Sequence, residues 1–185
     1  LSYSVSLIRI HLEMKEVFEK IYDLHHWYHA ESKSGPGASL CQTKTIIDFL
    51  PTLVQELNIE TILDIPCGDF NWMKEIDLAD YEYYGADVVS SIINHNNIAY
   101  AKEGRQFRWA DITTSPLPKV DLIFCRDCLV HFSYVDIDKA IRNIKQSQSK
   151  YLLTTTFPTR SNQNITTGSW RPLNLESTPF LFPAP

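Results

Sequence analysis

The sequence lacks any apolar run approaching the roughly 18–20 residues that a bilayer-spanning helix needs, so no segment reads as a transmembrane helix. Cysteine is scarce: Cys41, Cys67, Cys125 and Cys128 are far too few in 185 residues for a disulfide scaffold. Basic charge is not in excess, with 17 Lys and Arg against 22 Asp and Glu, a net of −5. That balance argues against long nucleic acid as a partner. Leu1 to Ile10 has neither a basic n-region nor a small-residue cleavage site, so no secretory signal is read there. A reducing, cytoplasmic setting with free thiols is the expectation. The chain starts at Leu1 rather than Met, and a lost N-terminal extension is expected. Internal repeats and low-complexity tracts are absent, and nothing indicates an oligomeric state.

What is present is ordinary for a globular chain: 44% hydrophobic and 21% charged residues. The length suits one domain, which should bury about 70% of its unfolded surface. Aromatic residues are plentiful, with four Trp and nine Tyr, suiting either buried ring faces or an aromatic pocket.

Periodicity predicts the elements. Apolar residues at helical spacing (Leu12, Val17, Phe18, Ile21, Leu24, Tyr28) predict a helix from Ile8 to Ala30, stopped by the breaker cluster Glu31–Gly37. A second helix is predicted over Thr43–Leu57, with Pro51 kinking or dividing it. Strands are predicted at Thr61–Ile65, Tyr83–Asp87, Gln106–Trp109, Val120–Cys125 and Tyr151–Phe157. Helices are predicted at Asn71–Ile76, Ser90–Tyr100 and Asp136–Gln146, the last with Asp136 as N-cap. Strands alternating with helices imply parallel βαβ units and a three-layer α/β fold. Residues 1–58 are read as N-terminal helices and a lid, 59–157 as the core and 158–185 as an irregular tail.

In a parallel sheet the ligand lies beyond the carboxyl ends of the strands. Asp64, Asp87 and Asp111 each close one of three successive strands. Asp87, at a solvent-facing strand end, is suited to a ribose diol, Asp111 to an adenine amine, and Asp64 to an α-amino group through its loop. Gly68 permits close backbone approach. The loop lacks the Gly-x-Gly-x-x-Gly of a dinucleotide site and the Gly-Lys-Ser/Thr of a P-loop, and Asp69 would repel phosphate. Acidic residues without a phosphate cradle suit a cationic nucleoside, and S-adenosyl-L-methionine meets both conditions.

Thr61–Trp72 resembles the first motif of class I S-adenosylmethionine-dependent methyltransferases, with Pro66 in place of its first Gly and Phe70 in place of its last. Tyr84–Val88 resembles the second motif, Trp109–Ile112 the third, and Asp121–His131 the fourth strand with its following segment. Upstream, Trp27 to Ser39 is similar to the cofactor lid of a bacterial-type subgroup, carried by Glu31, Ser32, Ser34, Gly35, Gly37 and Ser39. The resemblance implies a Rossmann-like three-layer sandwich with a mostly parallel sheet and an N-terminal helical lid. It implies cofactor contacts from Trp27, Asp64, Pro66, Cys67, Gly68, Phe70, Asp87, Val88, Asp111, Ile112 and Arg126. The family's reversed hairpin after the fifth strand has little room in the tail, so an incomplete sheet edge and a fragmentary chain are expected.

The acceptor is not encoded in these motifs; a small molecule is the expectation. Arg126, Asp127 and His131 follow the fourth strand and are the catalytic candidates. His131 is a base or a packing residue, and Arg126 with Asp127 binds the acceptor or forms a scaffold ion pair. Trp170 and Arg171 lie on the acceptor side, as a pocket floor and an anion site or as a packed tail. Cys125-x-x-Cys128 and the His25, His26, His29 group are read as buried thiols and surface residues, with no metal. Two other readings share the same residues: an inactive cofactor-binding module, and a different nucleoside-dependent α/β enzyme.

Overall fold

The computed structural model describes residues 13–27 and 29–183. Ile8 to Leu12 and Tyr28, part of the first predicted helix, lie outside the described residues.

Five strands form one sheet: β1 (Thr61–Asp64), β2 (Glu82–Asp87), β3 (Arg105–Trp109), β4 (Leu122–Cys125) and β5 (Tyr151–Thr154). Their order is β3-β2-β1-β4-β5 and every pair is parallel. The chain builds outward from β1 to β3 and then crosses back to lay β4 against the other side of β1. That reversal opens a crevice at the carboxyl ends of β1 and β4. The central strands are buried on both faces, which is why they read as continuous apolar runs. No strand follows β5 among the described residues, so β5 is the sheet edge.

Alternating side chains feed two cores. Leu63, Ile65, Ile123 and Cys125 face one; Ile62, Tyr83, Leu122 and Phe124 face the other. On the first side lie α1 (Met14–Asp23), α4 (Tyr134–Gln146) and the tail, through Phe18, Ile137, Ala140, Leu173 and Leu175. On the second lie α2 (Leu40–Glu56) and α3 (Ser90–Tyr100), through Leu50, Val54 and Ile93. Three layers result.

Several elements differ from the periodicity. The first helix is shorter, because the backbone turns at Leu24 and His25 takes a left-handed φ of 52°. Pro51 does not divide α2, which continues to Glu56. Asn71–Ile76 holds only a 3₁₀ turn, Met73–Glu75, since Trp72 and Met73 are pulled into the core. The N-cap of α4 is Ser133, not Asp136: its Oγ accepts from the Asp136 amide. Asp136 is the third helical residue, and its carboxylate accepts from Ser133 Oγ and Thr167 Oγ1. The last strand stops at Thr154 because Phe157 leaves the sheet to bond Leu173 of the tail.

Candidate active site

A cleft of about 490 Å³ opens at the carboxyl ends of β1, β2 and β4. Of the residues expected to hold a cofactor, Trp27, Asp64, Pro66, Cys67, Gly68, Asp87, Val88, Ile112 and Arg126 line it, as do Asp127 and His131. Phe70 and Asp111 stand outside the lining. Phe70 is buried beneath the loop, packed on Tyr83, Tyr100 and Phe107 with the Arg105 guanidinium over its ring. The Asp111 Oδ1 turns onto its own loop, accepting from the Thr113 amide and hydroxyl, while Ala110 and Ile112 face the cleft.

Asp87 is not solvent-facing as expected but 5% exposed. Its Oδ2 accepts from the Gly68 amide at 3.1 Å and its Oδ1 from the Val89 amide at 2.9 Å. The carboxylate therefore clamps the glycine loop to the end of β2. Burial pushes its pKa up to about 6, opposed by those amides. Asp64 lies deeper, accepting from the Tyr83 hydroxyl at 2.5 Å, and burial pushes it to about 8. Asn96, buried on α3, supports the loop from below by donating to the Gly68 carbonyl at 2.8 Å. No local pattern marks this residue, since it sits mid-helix among other polar positions.

The Trp27–Ser39 segment docks onto the same loop. Asp69 accepts from Ser32 Oγ and from the Lys33 amide, and the Asp69 amide donates to Ser34 Oγ. Glu31 accepts from the Leu40 amide and from Asn71. Gly68 has a φ of 55°, and a Cβ there would stand 2.6 Å from Ser34 Oγ, so only glycine permits this approach. Asp69 thus fastens the Ser32–Ser34 segment to the loop, a contact with no signature in the sequence.

Aromatic rings make up much of the remaining lining. Trp27 stacks on His131 at 4.5 Å between centroids, and Phe157 meets Trp170 edge to face at 6.3 Å. His131 Nδ1 lies 2.9 Å from the Ser169 carbonyl oxygen, which can only accept, so Nδ1 carries the proton. Nε2 is left with its lone pair. Burial holds the imidazole below its ordinary pKa.

Arg126 and Asp127 pair at 3.1 Å, with Arg126 over the Trp72 ring. Thr155 Oγ1 donates to Asp127 Oδ1. Arg171 is no anion site: it is 1% exposed and donates to the carbonyls of Leu129, Phe132 and Gln163, stapling the tail to the segment after β4. Trp170 lines the cleft at 57% exposure. Cys67, Cys125 and Cys128 are buried free thiols, and no group of three or more His, Cys, Asp or Glu among the described residues is placed to hold a metal.

Residues 63–149 match the family model described as a methyltransferase domain. The chain thus carries a segment similar to a methyltransferase domain. The methyltransferase fold extends past the segment. Magnesium protoporphyrin IX methyltransferase from Synechocystis, solved with bound S-adenosylmethionine, superposes with a TM-score of 0.61 at 13% identity, over 84% of this chain and 82% of that one. A Leishmania major S-adenosylmethionine-dependent methyltransferase gives 0.56 at 13% identity, over 78% and 64%. A Pyrococcus horikoshii protein gives 0.51 at 15%, over 68% of this chain and 60% of its own length. No curated protein sequence matches the chain.

Proposed function

We propose that the chain binds S-adenosyl-L-methionine in this cleft and transfers its methyl group to a small-molecule acceptor. The observation that carries the reading is the charge of the lining: Asp69, Asp87 and Asp127 against the single guanidinium of Arg126, itself paired, with Asp64 buried behind them in its protonated form. Such a set favours a cationic ligand without phosphate. Walls of Val88, Val89, Ile92 and Ile112 suit a flat base beside the Asp87 clamp.

When bound, the cofactor supplies an electrophilic methyl carbon on a sulfonium, which an acceptor lone pair takes while sulfur keeps the bonding pair. The protein's part is alignment and exclusion of water. Asp87 and the Gly68 loop hold the nucleoside side, and the docked Glu31–Ser34 lid closes over it. His131 Nε2 accepts the acceptor's proton, while Arg126 and Asp127 brace the floor between the two halves of the cleft. The lid docked on the first motif supports placing the chain in the bacterial-type subgroup that pairs these motifs. The buried free thiols support a reducing, cytoplasmic setting.

Calorimetry with S-adenosylhomocysteine and NAD tests the reading. Binding of the first alone is expected; NAD binding in its place overturns it.

A further inference from the structure

Resting on the methyltransferase reading, we infer that the acceptor is a neutral aryl alcohol, a phenol or naphthol, whose ring packs between the Trp170–Phe157 pair and the Trp27–His131 stack. Three observations converge on that chemistry. First, Trp27, His131, Phe157 and Trp170 all line the cleft. The Trp170 indole is over half exposed, with Phe157 as its edge-to-face partner. An aromatic ring is the body that gains most from such faces, through both burial and ring geometry.

Second, the site rejects anions. Arg126 is the only Lys or Arg among the lining residues, and Asp127 neutralises it. A carboxylate-bearing acceptor would meet Asp69 and Asp87 without a free counter-ion. Asp127 offers little to an acceptor either, with one oxygen on Arg126 and the other on Thr155.

Third, the proton acceptor selects the acidity of the hydroxyl. The bond to Ser169 holds the proton on Nδ1, so the neutral imidazole presents Nε2 as a base. Such a base draws the proton of a phenolic hydroxyl, which ionises near pKa 10 as tyrosine does, far more readily than that of an alkanol. The proton passes to Nε2 as the oxygen takes the methyl carbon.

The experiment titrates 2-naphthol, 2-decalol and 2-naphthoate by calorimetry into the protein, with and without saturating S-adenosylhomocysteine. Naphthol is expected to bind at least tenfold more tightly than either of the others. Trp170→Ala is expected to weaken naphthol at least tenfold and leave the affinity for S-adenosylhomocysteine within twofold. Equal affinity for decalol, preference for naphthoate, or indifference to Trp170→Ala overturns the acceptor class. S-adenosylhomocysteine binding without naphthol preference overturns this inference alone. Naphthol binding with no S-adenosylhomocysteine binding overturns the methyltransferase reading instead.

Discussion

Gly68 and Ser34 approach so closely that a single added methyl group on the glycine would stand 2.6 Å from the serine oxygen. The contact joins two segments far apart in the chain, the lid and the first motif. Asp69, next to Gly68, completes the joint by accepting from Ser32 and Lys33. The Ser32–Ser34 segment is thus held by hydrogen bonds to the loop it packs against.

Breaking that joint should release the lid. Asp69→Ala removes the acceptor for Ser32 and Lys33, and Gly68→Ala drives Ser34 away. Amide exchange over residues 31–34 is expected to rise in both variants, with S-adenosylhomocysteine affinity falling about tenfold, equivalent to one or two lost hydrogen bonds. Unchanged protection in both would mean that other contacts hold the lid.

Asp87→Ala should cost stability as well as affinity. It leaves the amides of Gly68 and Val89 buried without an acceptor. Losing that clamp is expected to cost about 1–3 kcal/mol, lowering Tm by roughly 3–10 °C in a domain of this size. A variant melting with the parent but binding cofactor poorly would restrict Asp87 to ligand contact.

Asp64 gives the protein a pH dependence of definite sign. Its carboxyl titrates at about 8 in the fold against 3.8 as its ordinary value, because it is buried. Between those values the folded state holds a proton that the unfolded state has lost. Stability should therefore be fully present below about pH 4 from this group and decline as pH rises towards 8, by at most about 1.4 kcal/mol per pH unit. Asp64→Asn keeps an acceptor for Tyr83 and should flatten that decline. Denaturant melts of both proteins from pH 5 to 8.5 measure it, and parallel curves would remove Asp64 as the source.

Arg171→Met should loosen the tail. The guanidinium satisfies three carbonyls on two chain segments, and charged hydrogen bonds are worth about 1.5–3 kcal/mol each. A destabilisation of about 3 kcal/mol is expected, with limited proteolysis moving into residues 158–183. A fully protected tail would assign the tie to Leu173 and Leu175 instead.

His131→Ala should separate chemistry from binding. Turnover of 2-naphthol is expected to fall by roughly 10²–10⁴-fold, the usual contribution of a positioned base, while S-adenosylhomocysteine affinity stays within threefold. Equal losses in both would make His131 a packing residue of the Trp27 stack.

The sequence by itself determined the elements and the family resemblance. Strand and helix signals depend on neighbours a few residues apart, so α3 runs from Ser90 to Tyr100 as its pattern implies, and the five strands fall at or near the segments predicted for them. The same local pattern placed Asp64, Asp87 and Asp111 at strand ends. What each carboxylate does was decided only by tertiary structure. Asp87 meets Gly68, 19 residues away, and becomes a clamp, whereas Asp111 finds Thr113 two residues on and turns from the cleft. Arg171 reads as an anion site until the carbonyls of Leu129 and Phe132 are brought to it. The docking of Ser32 and Ser34 on Asp69 spans some 35 residues or more and has no periodic signature. Charge and hydrogen-bonding capacity are properties of a side chain, but their satisfaction belongs to whichever distant segment the fold delivers, because a buried polar group must be paired by whatever packs against it.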